Sequence, residues 1–98
     1  MLEIRRTDVF GRWLDNLKDV RGRARILARL ERLAEGHRGD TKPLREGISE
    51  LRIDVGPGYR VYFTKRGRSL ILLLCGGDKG TQKRDIERAI RLAQNLLE

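Results

Sequence analysis

Three short apolar segments near the middle of the chain constrain its fold more than any other feature. Residues 51–55 and 59–64 alternate apolar with polar side chains, which is the pattern of a strand with one buried face. Gly-Pro-Gly at 56–58 joins them, and Gly67 in the sequence KRGR turns the chain toward a third segment, residues 70–75. Turns this short leave consecutive strands side by side. The sequence therefore predicts an antiparallel meander of three strands.

Two further observations extend this sheet. The third segment, LILLLC, is apolar at every position, so we expect a central strand that is covered on both faces. At the N-terminus, Leu2 and Ile4 alternate with charged residues in MLEIRR, which predicts one more short strand.

Three helices are predicted from apolar residues at helical spacing. The first follows an N-cap at Thr7, and the second spans about residues 22–35 and ends at Gly36. The inward residues predicted for the second helix are Ala24, Leu27, Leu30, Leu33 and Ala34. The third helix begins after Thr81. Its predicted inward residues are Ile86, Ala89, Ile90, Ala93, Leu96 and Leu97. Residues 36–47, with three Gly and one Pro, are predicted to form a loop.

The order of these elements, β-α-α-β-β-β-α, predicts one domain over residues 1–98. Two tight turns make the sheet mostly antiparallel. The amphipathic helices must bury their apolar sides, and the apolar face of the sheet is the surface available for this. We therefore expect an α+β, two-layer domain with the helices packed on one face of the sheet.

The charge balance points to a polyanionic partner. The chain has 22 Lys and Arg against 14 Asp and Glu, a formal net charge of +8 at pH 7. Such a basic domain favours nucleic acid, although a basic surface matched to an acidic protein has the same composition. No predicted helix pairs a basic face with aromatic anchors, so a membrane partner is not expected. The single cysteine, Cys75, excludes a disulfide framework and predicts a cytoplasmic protein.

Strand parity gathers a charged set on the other face of the meander. Since residues two apart share a face, Arg60 and Tyr62 lie opposite the apolar Val61 and Phe63. By the same rule the neighbouring strand adds Glu50, Arg52 and Asp54. Two arginines held near one another favour a phosphate between them, and a tyrosine can stack on a base. The alternative is a solvated face with cross-strand ion pairs, such as Arg60 with Glu50 or Asp54.

Other basic residues extend this candidate surface. Lys79 follows the central strand, and Lys83 and Arg84 begin the last helix nearby. Arg25 and Arg29 belong to a basic ridge on the second helix, which could follow a nucleic-acid backbone or could be a solvated face. No metal-ligand spacing and no complete phosphate-binding loop occurs, so we expect neither a metal nor a cofactor.

Two strings carry a family resemblance that extends over nearly the whole chain. ELRIDVGPGYRVYF and LILLLCGGDKGTQKRDIERA resemble the RelE/ParE superfamily of small bacterial toxins, in its HigB-like branch of addiction module killer proteins. The resemblance is most specific at residues 58–60 and 78–82. It implies the toxin of a type II toxin–antitoxin pair, a protein that enters the ribosome and cuts mRNA. It also implies a neutralising antitoxin from the same operon, expected to be a small helix-turn-helix protein.

The resemblance also assigns roles to residues. Arg60 falls where RelE-like enzymes have a catalytic arginine, and Arg52 and Lys79 fall where the family has basic groups that would hold the phosphate. The general base is left open: Glu50 or Asp54 could serve if desolvated, and so could an ammonium group with a depressed pKa. The reaction implied is metal-independent transfer to the RNA 2′-hydroxyl.

Two departures from the family keep two other functions open: a stacking tyrosine is missing, and so is the histidine and acidic–tyrosine set of some HigB-like enzymes. The C-terminal tyrosine that stacks on the base in RelE is missing, and its place is near Ile86; Tyr62 would partly replace it. ParE relatives share the fold but inhibit DNA gyrase by binding, without hydrolysis. A non-toxic basic RNA-binding module on the same fold is the third possibility.

Overall fold

The computed structural model describes residues 1–96. In chain order the elements are β1 (Glu3–Arg6), α1 (Asp8–Asp15), α2 (Val20–Ala34), β2 (Thr41–Pro43), β3 (Ile48–Ile53), β4 (Tyr59–Arg66), β5 (Leu70–Asp78), a 3₁₀ turn (Lys79–Thr81) and α3 (Gln82–Asn95). The strands form one sheet in the order β1-β5-β4-β3-β2. Among residues 1–96, β1 alone is parallel to its neighbour, β5; the other pairs are antiparallel. The predicted α+β class and the mostly antiparallel sheet are confirmed.

The meander forms as predicted, and its first turn fixes the register of β3 and β4. Gly56 and Gly58 have φ values of 56° and 79°, a region that L side chains rarely adopt. With the turn set in this way, Arg52 lies directly opposite Arg60 on the neighbouring strand. One strand was not predicted: β2 lies in the Gly-rich segment assigned to a loop and pairs with β3 at the sheet edge. Its last residue is Pro43, which an edge strand tolerates.

Helices α1 and α2 cover one face of the sheet. Thr7 caps α1 as predicted, since its Oγ1 accepts a hydrogen bond from the Phe10 N–H at 3.0 Å. Helix α2 begins two residues earlier than predicted, because the Asp19 side chain caps it by accepting from the Gly22 N–H at 3.0 Å. The core on this side consists of Phe10, Leu14, Ile26, Leu30, Leu33, Leu51, Ile53, Tyr59, Val61, Phe63, Ile71 and Leu73.

The rotation of α2 differs from the prediction. Ala24 and Leu27 are exposed, whereas Ile26 is fully buried. The cause is Gly22, which packs so closely against the Tyr59 ring that a Cβ there would lie 2.5 Å from a ring carbon. This contact turns the stripe of Gly22, Ile26, Leu30 and Leu33 toward the sheet.

Helix α3 covers the opposite face, so the prediction that all helices pack on one face is wrong for this helix. Its buried Ala89 and Ala93 pack with Ile48, Tyr62, Leu74 and Cys75. A β-bulge in β5 contributes to this second core: Tyr62 pairs with Cys75 and Phe63 with Leu73, which leaves Leu74 as the extra residue. The prediction that this strand is covered on both faces is confirmed.

The ends of α3 depart from the prediction in detail. Thr81 precedes the helix, but its hydroxyl donates to the Asp85 side chain and does not cap the backbone. Leu96 is 51% exposed, and Leu97 lies outside the described residues. Within residues 1–96, no helix combines the length and the apolar character that crossing a membrane requires.

Candidate functional site

The side chain of Arg60 is held in one position at the start of β4. It is 12% exposed, and its Nε lies 3.4 Å from Oε1 of Glu50. Its Nη1 donates hydrogen bonds to the backbone carbonyls of Gly58 at 3.0 Å and Tyr59 at 3.4 Å. Gly58 leaves the room for this arrangement, since a Cβ there would lie 3.2 Å from Nη1. The Gly-Pro-Gly turn therefore both fixes the strand register and binds the arginine.

The partner of Arg60, Glu50, is a buried carboxylate. Glu50 is 3% exposed and lies on β3, on the sheet face that α3 covers. Its Oε1 accepts a hydrogen bond from Nε2 of Gln82, the first residue of α3, at 2.8 Å. The ion pair between Arg60 and Glu50, which was the alternative to a phosphate site in the sequence analysis, is confirmed.

Arg52 has a different carboxylate. Its Nε and Nη2 donate to Oδ1 of Asp40, at 3.1 and 2.7 Å. These hydrogen bonds, together with the charge of Asp40, raise the pKa of Arg52. The backbone N–H of Arg52 also donates to the carbonyl of Asp40 at 2.9 Å. Each of the two opposed arginines is thus neutralised by its own acid, and no phosphate is needed to bring them together.

The charged residues of β3 and β4 meet at one shallow depression. Asp40, Arg52, Asp54 and Arg60 line it, and its volume is about 260 Å³. Lys79 lies beside it: a Cβ at Gly58 would be 3.5 Å from the Cβ of Lys79 and 3.2 Å from Nη1 of Arg60. The structure therefore places Arg60, Arg52 and Asp54 at one depression. Lys79, the third residue predicted to be catalytic, does not line it, although its Cβ lies close to Gly58.

Tyr62 does not belong to an open surface. It is 0% exposed, beneath α3, and its hydroxyl makes no hydrogen bond within residues 1–96. Burial, and then the charge of Glu50, raises the pKa of Tyr62 above its ordinary value of 10.0. The prediction that this ring is available to stack on a base is wrong, because the helix that was expected on the other face packs against it.

Lys83 and Arg84 lie on the first turn of α3 and are exposed. They line a second depression of about 360 Å³ together with Gly80, Thr81 and Glu87. It shares no residue with the depression at Arg60. Gln82, between Thr81 and Lys83 in sequence, contacts Glu50, which pairs with Arg60.

The basic ridge on α2 is not continuous. Arg25 is exposed, as predicted. Arg29 instead bends toward the sheet, where its Nη1 donates to the carbonyl of Arg52 at 3.0 Å. A Cβ at Gly39 would lie 2.6 Å from Nη2 of Arg29, so the guanidinium fills the space above that glycine. Nη1 of Arg29 holds the edge of the sheet beside Arg52, and Nη2 is buried, so neither atom faces a nucleic-acid backbone.

Sequence reasoning missed two residues that shape the site. Asp40 lies in the segment assigned to a loop, and Gln82 lies 32 residues from its partner Glu50. No local spacing identifies either contact. Cys75, expected in the core, is buried, and burial raises the pKa of its thiol to about 12. His37 is exposed and lines none of the depressions described here.

Two comparisons with known proteins give relatives for this chain. Residues 12–98 match the model of the family described as "Phage derived protein Gp49-like (DUF891)". The chain is also 50% identical over 95 residues to an uncharacterized protein of Haemophilus influenzae, and this match covers 97% of the chain and 96% of that relative.

Proposed function

The chain belongs to the phage-derived Gp49-like family, and we propose that it is the toxin of a type II toxin–antitoxin pair that cuts mRNA on the ribosome. The observation that carries this proposal is the immobilised guanidinium of Arg60 at the rim of a depression that Arg52 and Asp54 also line. A fixed cation at an open site is suited to stabilising charge that develops on a phosphate. The RelE/ParE resemblance, in its HigB-like branch, supports the same residue.

The proposed reaction is a transesterification within the RNA. A base removes the proton from a 2′-hydroxyl, the 2′-oxygen bonds to the adjacent phosphorus, and the bond from phosphorus to the 5′-oxygen breaks. The 5′-oxygen takes a proton from water and leaves as a hydroxyl, and the other product is a 2′,3′-cyclic phosphate. Arg60 stabilises the negative charge of the phosphorane-like transition state, and Arg52 and Lys79 hold the phosphate. Loss of one such fixed donor costs about 10²–10³ in kcat.

Of the two carboxylates considered as the base, the geometry favours Asp54. Asp54 is exposed and lines the depression. Glu50 is buried, and its Oε1 already faces both Gln82 and Arg60. A general base must reach the proton that it removes, and of Glu50 and Asp54 it is Asp54 that lines the depression.

The proposed partners follow from the charge. The formal net charge of +8 favours the ribosome and mRNA, with Lys83, Arg84 and Arg25 as the exposed basic residues that contact phosphates. An antitoxin encoded beside this chain, a small helix-turn-helix protein, would neutralise it in the cytoplasm. Neither a metal nor a cofactor enters the proposed chemistry.

One observation favours the second function, inhibition of gyrase by binding alone. Both tyrosines are buried, Tyr59 at 6% exposure and Tyr62 at 0%, so neither offers a ring to a base at the depression. A toxin that only binds its target needs no stacking residue. A non-toxic basic RNA-binding module is the third function, and growth on expression separates it from the other two.

Expression in a bacterial host tests the proposal. We expect induction of this chain alone to arrest growth, and co-expression of the protein encoded by the neighbouring reading frame to restore it. Pulse labelling of the arrested cells should show translation stopping before DNA synthesis. DNA synthesis stopping first indicates the gyrase function, and normal growth at a high level of folded protein contradicts both toxin functions.

A further inference from the structure

A buried carboxylate connects the first residue of α3 to the proposed catalytic arginine. Glu50 lies on β3 between Gln82 and Arg60, and one of its oxygen atoms, Oε1, is 2.8 Å from Gln82 Nε2 and 3.4 Å from Arg60 Nε. The side chains of Glu50 and Arg60 are 4% and 12% exposed. A charge pair this far removed from water is weakly screened, so the position of the carboxylate acts strongly on the guanidinium.

The three nitrogen atoms of the Arg60 guanidinium have different surroundings. Nη1 is held by the carbonyls of Gly58 and Tyr59. Nε is buried and faces Glu50 Oε1, but at 3.4 Å it makes no hydrogen bond within residues 1–96. This leaves Nη2 as the nitrogen that would reach an anion in the depression, which Arg60 lines. The plane of the guanidinium, and with it the direction of Nη2, is therefore set by the carbonyls on one side and by Glu50 on the other.

Gln82 restrains Glu50 in turn. Without the amide, the carboxylate would be free to rotate toward Arg60 and to take a bidentate pair with Nε and Nη2, which is the geometry that guanidinium and carboxylate groups prefer. Such a pair would occupy the atom that the phosphate needs. The hydrogen bond from Gln82 holds Oε1 at 3.4 Å from Nε. At this distance the carboxylate neutralises the charge of Arg60 but leaves Nη2 unoccupied.

From this geometry we infer that Glu50 and Gln82 are positioning residues for Arg60, which keep Nη2 available to the scissile phosphate. The effect on cleavage rests on the proposed nuclease function. The arrangement of Gln82, Glu50 and Arg60 does not depend on that function. It also assigns a role to α3, because Gln82 is the first residue of that helix and its placement sets the arginine.

The test uses the full chain with Gln82→Ala, and with Gln94→Ala as the matched control on the same helix. Gln82 is partly exposed and Gln94 is exposed, so both variants are expected to fold. For mRNA cleavage on programmed ribosomes, Gln82→Ala should lower kcat about tenfold with little change in KM, since binding of the message elsewhere is intact. Gln94→Ala should match the wild type.

A spectroscopic readout separates this inference from the proposed function. In protein labelled with ¹⁵N-arginine, the Nε–Hε resonance of Arg60 should shift in Gln82→Ala and stay unchanged in Gln94→Ala. Glu50→Gln should shift the same resonance, and it should leave the pH dependence of kcat unaltered if Asp54 is the base. If the wild type cuts no mRNA but the resonance shifts as described, the nuclease proposal fails and the positioning geometry stands. An unshifted resonance in Gln82→Ala, or a wild-type kcat for that variant, overturns the inference.

Discussion

Removing the Arg60 side chain should destabilise the fold as well as abolish activity. On sequence alone Arg60 lies on a solvated face, and Arg60→Ala would leave the fold intact. In the structure the Arg60 and Glu50 side chains are 12% and 4% exposed, so Arg60→Ala leaves a buried carboxylate without its cation. Breaking a buried pair in this way costs about 3–5 kcal/mol. Because Glu50 keeps its hydrogen bond from Gln82, we expect a value near the lower end, about 3 kcal/mol.

A double-mutant cycle measures this energy. For a domain of this size, about 3 kcal/mol corresponds to a fall in Tm of roughly 12–24 °C. Glu50→Gln in the Arg60→Ala background removes the stranded charge but keeps a side chain that can bond to Gln82, so it should restore at least about half of the loss. The control is Arg52→Ala, which breaks an exposed pair with Asp40 and should change the free energy of unfolding much less.

Urea denaturation of the four proteins in the cycle, followed by circular dichroism, gives the free energies directly. A cost of less than about 1 kcal/mol for Arg60→Ala, the value of a screened surface pair, would show that no buried ion pair is lost. A double variant no more stable than Arg60→Ala would show that a stranded carboxylate is not the cause of the loss.

Four other predictions follow from the same geometry. Arg60→Lys keeps a cation beside Glu50 and should fold, yet it should cut mRNA about a hundredfold more slowly than the wild type, because a point charge cannot replace the planar guanidinium. Arg68→Lys, at an exposed turn, is the control. Equal cleavage rates for Arg60→Lys and the wild type would show that the planar guanidinium is not used. Binding to ribosomes, measured by sedimentation, should weaken with a slope of log K against log salt of about −3.5 to −4.5 for about five phosphate contacts; a flat dependence would indicate a protein partner. Burial raises the pKa of Tyr59 and of Cys75 to about 12. Above pH ~9–10 these groups ionise in the unfolded chain but not in the native one, so the free energy of unfolding should fall as pH rises. Urea midpoints that stay level between pH ~9 and ~12 would contradict this. Hydrogen exchange with the protein from the neighbouring reading frame should show protection at residues 50–62 and 78–84, and protection confined to residues 20–35 would place the antitoxin elsewhere.

The strands were predictable because their signals are local. Alternation with period two assigned Arg52, Arg60 and Glu50 to one face, and the Gly-Pro-Gly turn set Arg52 opposite Arg60. Both results depend on residues within a few positions of each other. The same parity also offered the ion pair of Arg60 with Glu50 as an alternative, which the structure contains.

The position of α3 was not predictable from its own residues. An amphipathic pattern shows that a helix has a buried side, but it does not show which face of a sheet will receive it. The placement of α3 decides whether the Tyr62 ring is exposed or buried. Because α3 packs over it, Tyr62 is part of the core. The rotation of α2 was missed for a similar reason, since it depends on the contact of Gly22 with Tyr59, 37 positions along the chain. Long-range packing, and not propensity, decided both outcomes.

The most direct test of the proposed function is to map the ends of an mRNA held on programmed ribosomes after incubation with the purified protein. We expect the wild type to cut within the codon at the A site and to leave a 5′-hydroxyl on the downstream fragment and a 2′,3′-cyclic phosphate on the upstream one. Arg60→Lys, folded by circular dichroism, should leave the message nearly intact. An uncut message with the wild-type protein, together with a block of gyrase supercoiling by the same preparation, would contradict the account.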